Sequence, residues 1–163
     1  MARLILLCGS TGAGKTTYTI ALADELNSVR FSIDHWMVTL FAADMKELDY
    51  EWMMQRVQRC HEQIWQVSSQ ILNLDGNVIL DLGFTTRIQR QSFVLKAKKL
   101  GCAAELHYLD VPVDIRKKRV AQRNFNKEPD LYSFEVTDFM FNFMEKHFEV
   151  PDAAELVRGC VVT

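Results

Sequence analysis

Gly9-Ser10-Thr11-Gly12-Ala13-Gly14-Lys15-Thr16 reads G-x-x-x-x-G-K-T. An apolar run, Leu4-Ile5-Leu6-Leu7, leads into it, and a helix-forming stretch, Thr17 to Leu26, leads out. Strand, glycine-rich loop and helix form the context in which this pattern, the Walker A P-loop, carries its mechanism. Glycines let backbone N–H groups turn inward onto phosphate oxygens, and the following helix presents its positive end. Gly9, Ser10, Thr11, Gly12, Ala13, Gly14, Lys15, Thr16 and Thr17 are therefore the candidate nucleotide-phosphate residues. Lys15 has the reach for β- and γ-phosphates, and the Thr16 hydroxyl suits Mg²⁺.

The rest of the chain bounds what such a loop can serve. Its 163 residues suffice for one domain, 1–163. Hydrophobic residues make up 48% and charged residues 25%, a composition that builds a core. A net charge of −2 gives no global pull toward nucleic acid or anionic membrane. The apolar runs fall far short of the roughly 20 residues of a membrane span. Met1-Ala2-Arg3 runs straight into the first strand, so the expected location is cytoplasmic. Cys8, Cys60, Cys102 and Cys160 are scattered without a C-x-x-C pair, which argues against a disulfide framework or a thiolate metal site. Cys8 reads as a small buried filler.

Working outward from the loop, Leu4–Cys8 reads as a central parallel strand and Lys15–Asn27 as the first helix. Val29–Ile33 alternates in polarity as a second strand. It ends at Asp34. Ligands of a parallel α/β sheet bind beyond the carboxyl ends of the strands. Asp34 is thus the candidate general base that orients an acceptor hydroxyl and takes its proton. It also has the chemistry to cap a helix starting at His35. His35 itself is not assigned as a base. Trp36 to Asp49 mixes apolar and acidic residues and is expected near a substrate pocket, with Trp36, Phe41 and Trp52 as either its lining or core. Met53, Val57, Ile64, Val67, Ile71 and Leu74 recur at threes and fours, which predicts a helix over 50–74.

Val78-Ile79-Leu80-Asp81 is an apolar strand closed by an acid. An Asp there holds Mg²⁺ or caps the next turn, and the metal role is the preferred one. Arg87 and Arg90 open a helix over 86–100, either as solvated surface charges or as contacts to an anionic substrate. Ala103–Asp110 is the fourth strand. The helix after Pro112 carries Arg116, Arg119 and Arg123 at spacings that share a face. A basic face in a chain of negative net charge points to an anion, here ATP, with a solvated face as the alternative for some of its residues. With the polar segment that follows, around 116–133, it reads as a lid. Phe134–Phe148 is aromatic-rich, with a helix from about Thr137 that is expected to turn Met140, Phe143, Met144 and Phe148 inward and Asp138, Glu145 and Lys146 outward. Val161–Thr163 reads as a last strand. Asn126-Lys127-Glu128-Pro129 has proline where a guanine-reading Asp is needed.

Several stretches in this order resemble one family: the P-loop, Ser32-Ile33-Asp34, Ile79-Leu80-Asp81-Leu82-Gly83-Phe84, and His107-Tyr108-Leu109-Asp110-Val111-Pro112 running on to Arg119-Val120-Ala121-Gln122-Arg123-Asn124. Phe148-Glu149-Val150-Pro151 with Glu155 also fits. The chain resembles the small P-loop kinase-like ATP-binding proteins of the AAA_33, zeta-toxin and chloramphenicol-phosphotransferase-like class, over nearly its whole length. The resemblance implies an α/β three-layer P-loop NTPase fold, with a five-stranded parallel sheet ordered 2-3-1-4-5 and helices on both faces. It implies ATP and Mg²⁺, a hydroxyl acceptor, and a general base at Asp34. It also implies lid arginines at Arg119 and Arg123, and an adenine bordered near Pro151. A ring-forming motor is not implied, because no second helical domain fits the length. The expected activity is transfer of the γ-phosphate to a small molecule. The alternatives are an ATP-dependent switch without an acceptor and a nucleic-acid 5′-hydroxyl kinase, the latter disfavoured by the charge balance.

Overall fold

The computed structural model describes residues 2–45, 49–127 and 135–163. Five strands form one all-parallel sheet: β1 (Leu4–Cys8), β2 (Ser28–Ser32), β3 (Asn77–Asp81), β4 (Ala104–Leu109) and β5 (Cys160–Val162). Their order is β2-β3-β1-β4-β5, as the resemblance implies. The chain leaves β1 toward one edge and later returns to add β4 and β5 on its other side. The order reverses beside β1, and the loop after β1 opens at that switch point, where α/β sheets take ligands.

Strand β1 is fully buried, and its alternation splits the core into layers. Ile5 packs with Ile79 and with Leu22 of α1 (Lys15–Leu26) on one face. Leu4, Leu6 and Cys8 face the other way, toward Cys60, Ile64 and Leu72 of α3 (Tyr50–Asn73) and Phe93 and Ala97 of α4 (Arg87–Lys99). Each buried aliphatic side chain there contributes about 1.5–3 kcal/mol relative to exposure. Between β2 and α3 lies α2 (Ile33–Phe41), followed by a single 3₁₀ turn at Ala42–Asp44. Helix α5 (Val113–Asn126) follows β4, and α6 (Asp138–His147) packs Phe141 against Val120 of α5.

Boundaries follow local chemistry. Asn27 adopts the left-handed conformation at φ 47° and closes α1, so Ser28 already belongs to β2. Thr86 and Gln89 form a reciprocal capping box at the start of α4, and Lys96, Lys98 and Lys99 complement the helix dipole at its end. Asp49 caps α3 by accepting from the Trp52 N–H. Leu74 follows the last turn of α3 and is exposed, which corrects its assignment to the apolar stripe.

Three other expectations are corrected. Helix α2 begins at Ile33, not His35, because the Ser32 hydroxyl is its cap and accepts from the His35 N–H at 3.4 Å. Asp34 therefore sits in the first helical turn and is not the cap. On α6 the inward residue is Phe141, whereas Phe143 is exposed and stacks between Phe139 and His147. Glu145 turns inward rather than outward. One turn after Phe141, it shares that residue's face.

Candidate active site at the P-loop

The loop from Gly9 to Gly14 is backed along its outer side by α5. A Cβ on Gly12 would stand 2.6 Å from the Arg116 carbonyl oxygen and 2.9 Å from Val120 Cγ2, and its φ is +80°. Only glycine fits there. Two loop carbonyls are turned toward the same helix and satisfied by its arginines. Arg116 Nη1 donates to Thr11 O at 3.2 Å, and Arg119 Nη1 donates to Ala13 O at 3.1 Å. Lys15 crosses the loop, donating from Nζ to Gly9 O at 2.8 Å and Ser10 O at 3.2 Å. Thr16 and Thr17 lie in the first turn of α1, where the free N–H groups and the helix dipole favour an anion.

Arg116 does more than its helical spacing with Arg119 and Arg123 suggests, and something different. It is buried, donates from Nε to Val111 O, and grips both oxygens of Glu145 at 2.7 Å. That fork is committed to a carboxylate, which sets Arg116 apart from Arg119 and Arg123, the candidate anion-binding residues of this helix. Glu145 also accepts from the buried Ser10 hydroxyl. The Ser10 hydroxyl is thereby tied to α6. Arg116 holds the Glu145 carboxyl below the usual carboxylate range.

Beyond the ends of β2 and β3 two carboxylates come together. Asp81, buried at the end of β3, accepts from Arg30 Nη2 at 3.2 Å, while Arg30 Nε donates to Thr19 Oγ1 at 2.7 Å. Asp34, in the first turn of α2, is exposed by its surface area, with protein atoms crowding around its carboxyl. Desolvation and the neighbouring Asp81 push its carboxyl above the ordinary value, against the opposing pull of Lys15, Arg123 and Arg30. The geometry thus brings together Asp34, Asp81, Lys15 and Arg123. His35 is exposed and contributes its backbone N–H to the cap.

Among the described residues no cluster of three or more His, Cys, Asp or Glu side chains forms a metal cage. A Thr16 hydroxyl and an Asp81 carboxylate are hard oxygen donors. With waters and phosphate oxygens completing the shell, they fit Mg²⁺, which is ordinarily held by few protein ligands. Of the lid segment, residues 128–133 lie outside the described residues, and Arg119 and Arg123 stand on the described part, α5.

Arg90 is not a solvated charge, and its guanidinium is taken up by protein partners. It is 1% exposed, pairs with Glu155 at 2.7 and 3.0 Å, and donates to Glu149 O at 2.9 Å. Arg87 pairs with Asp152 on the surface at 2.8 Å. Pro151 lies buried in this same tethered segment. Cys8 is buried as expected, and burial pushes its thiol up to about 11, so it is no nucleophile. Sequence reasoning missed Arg30 and Glu145, and singled out Glu155 only within the family resemblance, without its partner Arg90. For Glu145 the available signal was its i+4 spacing from Phe141.

The AAA_33 family model, described as an AAA domain, matches residues 4–151. Solved structures share the fold at low identity. A putative kinase from Chloroflexus aurantiacus superposes with a TM-score of 0.76 at 15% identity, covering 99% of this chain and 87% of that one. Kti12 from Chaetomium thermophilum, in complex with ADP-AlF3, gives 0.73 at 14%, covering 98% and 88%. A sugar kinase from Janibacter sp. gives 0.66 at 15%, covering 99% and 85%. No curated protein matches the chain's sequence.

Proposed function

This chain belongs to the AAA_33 family, and on that premise we propose that it is an ATP-dependent kinase that transfers the γ-phosphate to a hydroxyl of a small molecule. In this reading Lys15, Thr17 and the amides from Gly9 to Thr16 hold the phosphates. Thr16 and Asp81 would hold Mg²⁺, which supplies neutralisation of charge on the β- and γ-phosphate oxygens. Arg119 and Arg123, on the helix that backs the loop, close over the γ-phosphate and exclude water. Pro151 borders the adenine. Asp34 orients the acceptor hydroxyl and receives its proton as the oxygen attacks phosphorus and the bond to the ADP oxygen breaks. The likeness in fold to a sugar kinase and a putative kinase supports this reading.

The observation that carries the proposal is the position of Asp34. Its carboxyl stands within electrostatic reach of Lys15 and Arg123 and is held above its ordinary pKa, as suits a general base. Positioning and fixed charges do most of the work in phosphoryl transfer. The test is ADP release from MgATP in the presence of antibiotics, sugars, sugar nucleotides, nucleosides and 5′-hydroxyl oligonucleotides. Acceptor-stimulated release is expected, abolished by Lys15→Ala and lost in Asp34→Asn, which should still bind ATP. Full transfer by Asp34→Asn would remove Asp34 as the base. Tight ATP binding without stimulation by any acceptor would favour the switch reading.

A further inference from the structure

The P-loop is tied to a helix more than 130 residues away in sequence, through a contact that phosphate binding by itself does not require. The Ser10 hydroxyl donates to Glu145 Oε1, and Arg116 donates to Oε1 and Oε2 of the same carboxylate at 2.7 Å each. Arg116 then reaches back to Thr11 O at 3.2 Å. Residues 10 and 11 are thus held at a side chain and at a carbonyl by one ion pair. Ser10 and Arg116 are buried and Glu145 is half-buried, so the pair is partly shielded from solvent screening.

A carboxylate beside a phosphate site would ordinarily oppose an anionic ligand. Here both of its oxygens are occupied by a guanidinium fork, which cancels its charge locally. What remains is its geometric effect. The Ser10 side chain is held by Glu145 and the Thr11 carbonyl by Arg116, so the Thr11–Gly12 peptide is kept from flipping its carbonyl into the cradle.

We propose that Glu145 is a positioning residue for nucleotide binding. Through Ser10 and Arg116 it locks the first limb of the P-loop with its amides facing the phosphates before the nucleotide arrives. The inference rests on the nucleotide-binding reading above. Preorganisation of this kind acts on affinity by removing an ordering cost from the binding step. Because the limb serves phosphates that ADP and ATP share, both nucleotides should be affected by the same factor.

The experiment measures MgADP and MgATP affinity by calorimetry on the full chain. Wild type, Ser10→Ala, Glu145→Gln, Glu145→Ala and the Ser10→Ala/Glu145→Ala double variant are compared, with Lys15→Ala marking binding at the loop. Ser10→Ala and Glu145→Ala are each expected to weaken both nucleotides by about tenfold. The double variant should be no weaker than the poorer single one. Glu145→Gln keeps an acceptor for Ser10 and should fall between wild type and Glu145→Ala. If Glu145→Ala fails to fold, Ser10→Ala and Glu145→Gln decide the matter. Affinities within twofold of wild type would show that the contact only packs α6 against the loop, and would overturn the proposal. Losses that simply add in the double variant would overturn it as well. A wild-type chain that binds neither nucleotide would defeat the underlying nucleotide reading, a failure visible without any variant.

Discussion

The guanidinium of Arg30 bridges Asp81 and Thr19, lying 3.2 Å from Asp81 Oδ2 and 2.7 Å from Thr19 Oγ1. It joins the end of β3 to the middle of α1 across the face of the sheet. Asp81 is 8% exposed at its side chain, and Arg30 is its partner. Arg30→Met should leave a buried carboxylate uncompensated and lower unfolding stability by about 3 kcal/mol. The urea midpoint checks this. An unchanged midpoint would mean that water replaces the guanidinium at no cost.

Asp34 has the opposite sign. Its carboxyl is raised in the folded chain by desolvation from the surrounding protein and by Asp81. The folded state therefore holds that proton more tightly than the unfolded one, and the ionised group opposes folding at neutral pH. Asp34→Asn should raise the melting temperature at pH 7 while abolishing transfer. The gain should shrink as pH falls through the folded value of Asp34. A lower melting temperature for the variant would show that the carboxylate is a structural asset.

The arginine-held glutamates behave in the usual carboxylate direction. Arg90 lowers Glu155, Arg116 lowers Glu145 and Arg3 lowers Glu105, each from an ordinary value of 4.5. Their stabilisation is fully present above that value and is lost as pH falls below it through their folded values. Glu155→Ala should cost about 3 kcal/mol at pH 7, because it strands the buried Arg90 charge. Its deficit relative to wild type should narrow steadily below pH 4.5 in acid-unfolding curves.

Gly12 couples the loop to α5 by contact alone. Gly12→Ala combines a left-handed φ with a 2.6 Å approach to the Arg116 carbonyl, and neither can be relieved by rotating a side chain. The variant should lose MgADP binding by at least about tenfold and fall by about 1–3 kcal/mol in stability. Fluorescent-nucleotide titration and thermal melting read these two effects separately.

What the sequence made legible was local. Strand β1, the P-loop and α1 form one continuous stretch whose glycines, lysine and apolar run can be read without reference to anything distant. The acid at the end of β3 was legible for the same reason. The strand order came from resemblance to a family, because parallel strands carry no mark of their neighbours. Long-range pairs were not legible. Arg90 and Glu155, 65 residues apart, each look like surface charges, and periodicity assigns a charge to solvent unless a buried partner is known. The same rule turned Glu145 outward, and aromaticity turned Phe143 inward, although Phe143 lies exposed in a stack with Phe139 and His147.

The Arg90–Glu155 pair also decides where the protein can be cut. The family match stops at residue 151, which invites an expression boundary there. A chain trimmed at that point would lose Glu155 and leave a 1%-exposed guanidinium without its carboxylate. It would also lose Gly159, whose missing side chain lets the backbone pass over Leu106, and the strand that covers the open edge of β4. The last dozen residues are the keystone of that flank, and any working excision of this domain has to carry them through to Val162.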